Sequence, residues 1–195
     1  KAVLEFRDKI GKEYELAENY STSIKQLEEK INVVRETCGT AAEKLSKKRT
    51  EIARKIENEV QEVLKELGIK NAVFKVKTEQ TFAESDSNDF IICRNKKYKY
   101  DLHGIDSVEF YISTNEGEDP KPLTKVASGG EISRVMLAMK TILAKSDKLP
   151  LLIFDEIDTG ISGKIAQKVG HALKSLASFH QIISITHLPQ IAGLA

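Results

Sequence analysis

Hydrophobic residues in the first third of the chain recur at alternating intervals of three and four positions. From Val3 to Ile52, thirteen of the fifteen a and d positions of a heptad repeat are apolar or aromatic. A 3.5-residue repeat of this length is typical of a coiled coil. Beyond Ile52 the stripe changes to the spacing of an amphipathic helix that packs on a globular core, at Ile56, Val60, Val63, Leu64 and Leu67. Residues 1–67 are therefore predicted to form a coiled-coil helical segment.

Two features allow a break in this helix near residues 18–23. Gly11 costs about 1 kcal/mol of helix stability relative to alanine, and the sequence from Ser23 to Gln26 has the form of a capping box. Gly68 is predicted to end the helix as its C′ residue. The seam needs a partner helix, from a second copy of the chain or from a segment before Lys1. Because the chain begins without Met and within a pattern, we expect it to be a fragment.

The hydrophobic period changes after Gly68. Alternating or apolar runs predict an antiparallel sheet of three or four strands, with strands near residues 72–77, 90–92 and 108–112. From residue 128 the chain alternates between helix and strand. Helices are predicted over about 130–145 and 162–177, and strands over 151–154 and 181–186.

Two unbroken apolar strands joined by a helix are typical of a right-handed βαβ unit with parallel strands. The predicted fold class is therefore α/β. The chain is expected to consist of a long coiled-coil helix over residues 1–67 and a lobe over residues 68–195, which holds the small antiparallel sheet and the parallel βαβ unit.

Composition narrows the function classes. The net charge of +1 gives no global field that would attract nucleic acid, although a local basic patch would be enough. No apolar run has the roughly 20 residues that span a bilayer, so no membrane partner is expected. Cys38 and Cys93 form no CxxC pair, which argues against zinc. Two reduced, partly buried thiols fit a cytoplasmic protein.

An acidic pair follows the strand predicted over residues 151–154. Asp155 and Glu156 come directly after Leu151-Leu152-Ile153-Phe154, which has the form of a Walker B strand. Strand ends deliver side chains into the crevice beyond a parallel sheet. Asp155 would hold Mg²⁺, and Glu156 would accept a proton from an attacking water. The alternative is a buried strand that runs into an acidic turn.

A glycine turn opens the helix predicted over residues 130–145, in the sequence Ser128-Gly129-Gly130-Glu131. Glycines allow the backbone to approach a ligand closely, and the free N–H groups at a helix N-terminus favour a phosphate. The alternative is a capping box between Ser128 and Glu131, which needs no ligand. A capping box alone does not explain two glycines in the first turn of a helix.

His187 follows the last predicted strand and would hydrogen-bond a phosphate or a water beside the acidic pair. The alternative is a structural role, which we assign to His103, His171 and His180. The segment Gly160–Lys164 resembles a phosphate-binding loop, but its spacing is wrong and Ile165 follows the lysine. No P-loop occurs in the sequence, and residues 158–163 are better explained as a loop that ends at a Ser162 helix cap.

The segment from Arg94 to Tyr100 is basic with interleaved aromatic residues. It would contact DNA phosphates, or it is a solvated hairpin edge whose lysines prevent strand pairing. The sequence favours the hairpin edge and leaves the first possibility open.

The order of these motifs resembles the C-terminal lobe of an ABC-type ATPase head of the SMC class. The order is Ser-Gly-Gly-Glu, then an apolar strand with Asp-Glu, then an aspartate loop, then a strand with Thr-His, all behind a coiled coil. Over residues 105–195 the amino-acid sequence resembles that of the bacterial DNA-repair members of that class. Ala127 and Glu131 depart from the commonest ABC signature, which has Leu and often Gln there.

The resemblance implies a role for each motif. Ser128, Gly129 and Gly130, with Glu131, would form the signature that contacts the γ-phosphate of an ATP held by a second head. Asp155 would hold the Mg²⁺. Glu156 would be the catalytic base and His187 the switch histidine. Asp158 would lie in the D-loop at the interface between the heads.

The resemblance also implies cofactors and partners. These are ATP and Mg²⁺, a second head in an ATP-sandwiched homodimer, and DNA double-strand ends. A Walker A lobe missing from this sequence would precede the coiled coil. The implied function is ATP-driven head dimerisation in double-strand break repair and recombination, in the cytoplasm at the nucleoid. The fragment alone is expected to be inactive.

Three other functions remain open at this stage. The closest is the head of another SMC-type chromosome-organising or DNA-repair ATPase. A structural clamp that self-associates through the coil is the second. The third is the nucleotide-binding domain of a transporter, against which the coiled coil and the lack of a membrane signal both argue.

Overall fold

The computed structural model describes residues 2–126, 129–144, 146 and 149–194, without the side chains of residues 2–5, 8, 13 and 15–18. The chain divides into two compact units. Unit 1 comprises Lys1–Lys47 and Gln80–Asp106, and unit 2 comprises Lys48–Glu79 and Ser107–Ala195. The boundaries between these two units do not coincide with the predicted domain boundary between residues 67 and 68. The division into coiled coil and lobe stays a prediction.

Helix α1 (Ala2–Glu66) is one continuous helix of 65 residues. The break that the sequence allowed near residues 18–23 is absent. A single glycine costs only about 1 kcal/mol, and the many helix-forming residues on both sides outweigh that cost. The helix ends as predicted at Gly68, where the Ile69 N–H donates to the Leu64 carbonyl at 2.9 Å and the Gly68 N–H to that of Lys65 at 3.3 Å. These two bonds form a Schellman motif.

The heptad seam of α1 is exposed. Nine of its large apolar side chains are between 41% and 66% exposed: Phe6, Ile10, Tyr20, Ile24, Leu27, Ile31, Val34, Leu45 and Ile52. The stripe after Ile52 behaves differently, because Val60, Leu64 and Leu67 are almost fully buried in the core of unit 2. The predicted docking of the residues after Ile52 on a globular core is therefore confirmed, whereas the coiled-coil pairing of the earlier seam stays a prediction.

Unit 1 contains an antiparallel hairpin that packs on α1. Strand β2 (Ile91–Cys93) pairs with β3 (Lys96–Tyr98). Arg94 and Asn95 connect them with positive φ angles of 48° and 60°, as a two-residue hairpin turn requires. A small core is formed by Ala42, Ile91, Cys93 and Ile105.

The two cysteines of unit 1 differ in exposure. Both are free thiols, but only Cys93 is buried, whereas Cys38 is exposed and was wrongly expected to be partly buried. Burial raises the pKa of the Cys93 thiol, and its Sγ donates to the Gly39 carbonyl at 3.2 Å. Cys93 is thus a packing residue and not a reactive thiol.

The predicted antiparallel strands form two separate sheets. Strands β1 (Val73–Gln80), β4 (Asp106–Ser113) and β5 (Lys121–Pro122) make one sheet in the order β1-β4-β5. Strand β5 is antiparallel to β4, with Ile112 opposite Lys121. The hairpin β2–β3 is a second sheet, although the sequence suggested a single one.

The last part of unit 2 is the predicted βαβ unit. Helix α2 (Gly129–Leu143) precedes β6 (Leu151–Phe154), which is followed by α3 (Gly163–Leu176), β7 (Gln181–Ser184) and the short α4 (Pro189–Ala192). Strands β6 and β7 are parallel, with Leu151 opposite Gln181 and Phe154 opposite Ser184. The α/β fold class is therefore confirmed.

One face of the β6–β7 sheet is buried and the other is exposed. Leu152 and Phe154 belong to the core of unit 2. Leu151, Ile153 and Ile183 point the other way and are 41%, 62% and 46% exposed. Parallel strands are usually covered on both faces, so this uncovered face is an exception.

Within the described ranges, none of the helices combines the length and the apolar character that crossing a bilayer requires.

Candidate functional site

The acidic pair lies where β6 ends. Asp155 and Glu156 are both exposed, and the Glu156 N–H donates to Asp155 Oδ1 at 2.8 Å. Glu156 has a positive φ of 56°, which costs a residue other than glycine on the order of 1–3 kcal/mol. This backbone turns the chain sharply after the strand, and the Glu156 carboxylate comes to lie against Gly129.

Gly129 and Gly130 begin helix α2, as predicted, whereas Ser128 and Ala127 lie outside the described residues. A Cβ added to Gly130 would lie 2.9 Å from Thr159 Cβ and 3.0 Å from the Glu156 carbonyl oxygen. A Cβ on Gly129 would meet the flexible end of the Glu156 side chain. Gly130 is therefore required for α2 to pack against residues 156–159, which is a structural reason that sequence reasoning missed.

Two side chains of α2 hold the turn that follows β6. The Ser133 hydroxyl donates to the Asp155 carbonyl at 2.7 Å. The Arg134 Nη1 donates to the Thr159 carbonyl at 2.9 Å. Arg134 is only 6% exposed, and burial lowers the pKa of its guanidinium. The sequence analysis overlooked Arg134, although an arginine amid the apolar residues of α2 was a visible signal.

Glu131 accepts a hydrogen bond from the Thr114 hydroxyl at 2.9 Å. Its carboxylate is thus engaged with the residue that follows β4. The alternative capping box pairs Glu131 with Ser128, which lies outside the described residues.

Asp158 is buried within its own chain. It is 3% exposed, and its Oδ2 accepts from the Thr186 hydroxyl at 2.5 Å and from the His187 backbone N–H at 2.9 Å. The His187 ring Nδ1 lies 3.2 Å from the same oxygen. These contacts at the end of β7 account for the burial of the carboxylate, and the position of Asp158 at an interface between heads stays a prediction.

The surroundings of Asp158 lower its pKa. Burial alone would raise it, but the hydrogen bonds from Thr186 and the His187 N–H, with the nearby imidazole, outweigh burial. A depressed pKa in the folded state stabilises the fold above the unfolded pKa of about 4, and that contribution is lost as the pH falls through the folded value.

Asp158→Asn is therefore expected to lower the free energy of unfolding at neutral pH, with a difference from wild type that shrinks as the pH falls below about 4. Urea unfolding of the chain at a series of pH values, followed by circular dichroism, measures this difference. Asp119→Asn, a change at an exposed site, is the control and should follow the wild type. A constant difference at every pH would contradict the assignment.

His187 is the exposed member of this cluster, with 75% of its side chain accessible. His180 is buried, and its Nδ1 lies 2.6 Å from the Leu149 carbonyl, which fits the structural role predicted for it. His103 and His171 are exposed and lie outside the cluster. Gly130, Glu156, Asp158 and His187 are thus connected through one turn.

The described residues fit a magnesium ion that arrives with a nucleotide. Among them there is no group of three or more His, Cys, Asp or Glu side chains that would hold a metal by themselves. Mg²⁺ usually keeps several waters and binds through one or two carboxylates together with substrate phosphates. Asp155 at the end of β6 supplies one such carboxylate.

The basic hairpin is partly neutralised within unit 1. Arg94 pairs with Glu43 at 2.8 Å and Lys99 with Glu84 at 3.0 Å. The Lys97 ammonium lies 4.3 Å from the Phe90 ring centroid. These contacts favour the hairpin-edge interpretation over DNA contact.

In the segment Gly160–Lys164, which resembles a phosphate-binding loop, Ser162 is the N-cap residue of α3 as predicted. Its side chain makes no capping bond in the described part of the chain.

The sequence was compared with those of known proteins, and the matches are DNA repair proteins. No family model matches. DNA repair protein RecN of Halalkalibacterium halodurans is 37% identical over 194 residues, which cover 100% of this chain and 32% of that protein. DNA repair protein RecN of Rickettsia bellii is 43% identical over 151 residues, which cover 77% of this chain and 24% of that protein. The chain thus spans about a third or less of the length of the curated relatives it matches.

A solved structure also resembles the chain. It is the Smc head domain with an extended coiled coil, bound to the C-terminal domain of ScpA and derived from Pyrococcus furiosus. It is 20% identical with a TM-score of 0.47, over 75% of this chain and 31% of that chain. A likeness at this level carries no functional argument.

Proposed function

Since the chain belongs to the RecN family over the region that it shares with those relatives, we propose that it is the C-terminal part of an SMC-type ATPase that acts in DNA double-strand break repair and recombination. The longer protein would work in the cytoplasm at the nucleoid, on DNA ends. Its heads would dimerise around ATP. The identity of 37% along the whole chain supports a RecN-type head over that of another SMC-type ATPase.

In this proposal the chain supplies one side of each nucleotide site. The turn at Gly129 and Gly130 offers backbone N–H groups and the positive end of α2 to a γ-phosphate. Ser128 and Glu131 complete that turn in sequence. ATP carries several negative charges, so a site that contacts one side of it needs a second polypeptide region to satisfy the rest.

The other residues of the site face the nucleotide held by the same head. Asp155 would hold Mg²⁺, which supplies charge neutralisation at the phosphate oxygens when bound. Glu156 would take the proton of the attacking water, and His187 would hydrogen-bond a phosphate oxygen or that water. Asp158 is too deeply buried to meet a second head through its carboxylate and is proposed to act inside its own chain.

One observation carries the proposal. The glycine turn, the acidic pair and the Asp158–His187 pair are connected through residues 156–159, yet the 195 residues contain no P-loop. We infer that these residues act on a terminal phosphate and that a region outside the 195 residues cradles the rest of ATP.

The test compares magnesium-dependent ATP hydrolysis by this chain with hydrolysis by the longer protein. We expect turnover by the longer protein and none by the chain alone, because the β-phosphate cradle is missing. A coupled assay for released phosphate measures both. Turnover by the chain alone that disappears on Glu156→Gln would contradict the proposal that the nucleotide site needs a second polypeptide region. A longer protein without any turnover would contradict the proposed activity.

A further inference from the structure

We propose that Asp158 and Thr186 are positioning residues that fix the tautomer and the ring direction of His187. In the neutral ring they leave Nε2 with a lone pair, as the nitrogen that accepts a hydrogen bond from a water. The proposal rests on the proposed function for what His187 does with that nitrogen. How the ring is held stands on the contacts within this chain alone.

The first step is the shared acceptor. Both the backbone N–H and the ring Nδ1 of His187 approach the same atom, Asp158 Oδ2, at 2.9 and 3.2 Å. An ionised carboxylate only accepts hydrogen bonds. A neutral imidazole with its proton on Nδ1 can donate to this oxygen, whereas the other tautomer would set the Nδ1 lone pair against the anion. The Nδ1–H form is therefore favoured, and Nε2 keeps its lone pair.

The second step is the support behind the carboxylate. The Leu188 N–H donates to Thr186 Oγ1 at 3.1 Å, and the Thr186 hydroxyl donates to Asp158 Oδ2 at 2.5 Å. A hydroxyl has one proton to give, so the bond from Leu188 leaves that proton for Asp158. Linked bonds of this kind strengthen one another in a buried site.

The third step is the contrast in exposure. Asp158 is 3% exposed, whereas 75% of the His187 side chain is accessible. A carboxylate that only closed the turn between β7 and α4 would need the backbone N–H of His187 and not its ring. A buried anion under an exposed ring is instead the arrangement by which outer partners orient histidines in functional sites.

The experiment reads the histidine tautomers directly. Long-range ¹H–¹⁵N NMR correlations would be recorded for the chain with ¹⁵N-labelled histidine, well above the ordinary histidine pKa of about 6.5. We expect the Nδ1–H tautomer to predominate at His187. Asp158→Ala removes the acceptor and should abolish that preference. Asp158→Asn still offers an amide oxygen and should retain it.

Thr186→Val keeps the carboxylate but removes its support, so it should weaken the preference, and Thr186→Ser should restore it. This pair also keeps the proposal testable if Asp158→Ala fails to fold. His103 and His171 serve as internal references, since both are exposed and outside the cluster. A wild-type His187 in the Nε2–H form, or variants that leave its tautomer unchanged, would overturn the proposal.

An activity measurement separates positioning from the proposed function. In the longer protein, Asp158→Ala should lower kcat for ATP about 10-fold or more, with little change in KM, because loss of an orienting partner typically costs that much. An unchanged kcat would overturn the catalytic part of the proposal. If the wild-type longer protein hydrolyses no ATP, the proposed function fails, and the NMR result still decides how His187 is held.

Discussion

Glu156→Gln in the longer protein is expected to reduce ATP turnover about 100-fold or more, the usual contribution of a general base, and to retain head association in ATP. Glutamine matches glutamate in shape, so it can keep the left-handed backbone at this position. It cannot take up the proton of an attacking water. Heads that bind ATP without cleaving it should therefore accumulate as dimers.

Two measurements check this expectation. A phosphate-release assay gives the turnover, and light scattering in saturating ATP gives the oligomeric state. Glu118→Gln, a change at an exposed site outside the cluster, is the matched control and should behave as wild type. Retained turnover in Glu156→Gln would remove the base assignment, and a monomeric variant in ATP would remove the expected trapping.

Gly39→Ala is expected to destabilise unit 1, although alanine is normally the better helix former by about 1 kcal/mol. Gly39 is buried on α1, and an added Cβ would collide with the backbone carbonyl of Ile92 in β2. Because backbone atoms cannot rotate away, the hairpin must shift. Forcing extra volume into such a contact typically costs about 1–3 kcal/mol. The bond from Cys93 to the Gly39 carbonyl would weaken as well.

Gly11→Ala is the matched control in the same helix. Apart from the adjacent residues and the surrounding helix backbone, no described atom lies within 4 Å of a Cβ added there, so the substitution should increase helix stability by about 1 kcal/mol. Amide hydrogen exchange over residues 91–98 should rise in Gly39→Ala and stay unchanged in Gly11→Ala. Equal protection of the hairpin in both variants would show that β2 does not depend on this close approach.

The parts of the fold that follow local pattern were predictable. Strand β6 matches the predicted residues 151–154, because an apolar run bounded by Pro150 and an acidic pair has clear limits. The parallel pairing with β7 followed from two such strands around a helix. The candidate site residues near these strand ends were proposed for the same reason.

The features that depend on contacts between residues distant in the sequence could not be predicted. The packing of the hairpin on α1 uses Gly39 and Ala42, which are too small to mark a helix face in a hydrophobic pattern. The partner of Asp158 is another case, since Thr186 and His187 reach it only after β7 pairs with β6. The hydrogen bonds that its carboxylate accepts within the chain were therefore not foreseen.

The bare face of the β6–β7 sheet has a consequence for how the isolated chain behaves in solution. Leu151, Ile153 and Ile183 together form an exposed apolar patch on a rigid sheet. Exposed apolar surface of this kind is bound by chaperones and promotes misassembly. We therefore expect the chain by itself to self-associate as its concentration rises, unless that face is covered.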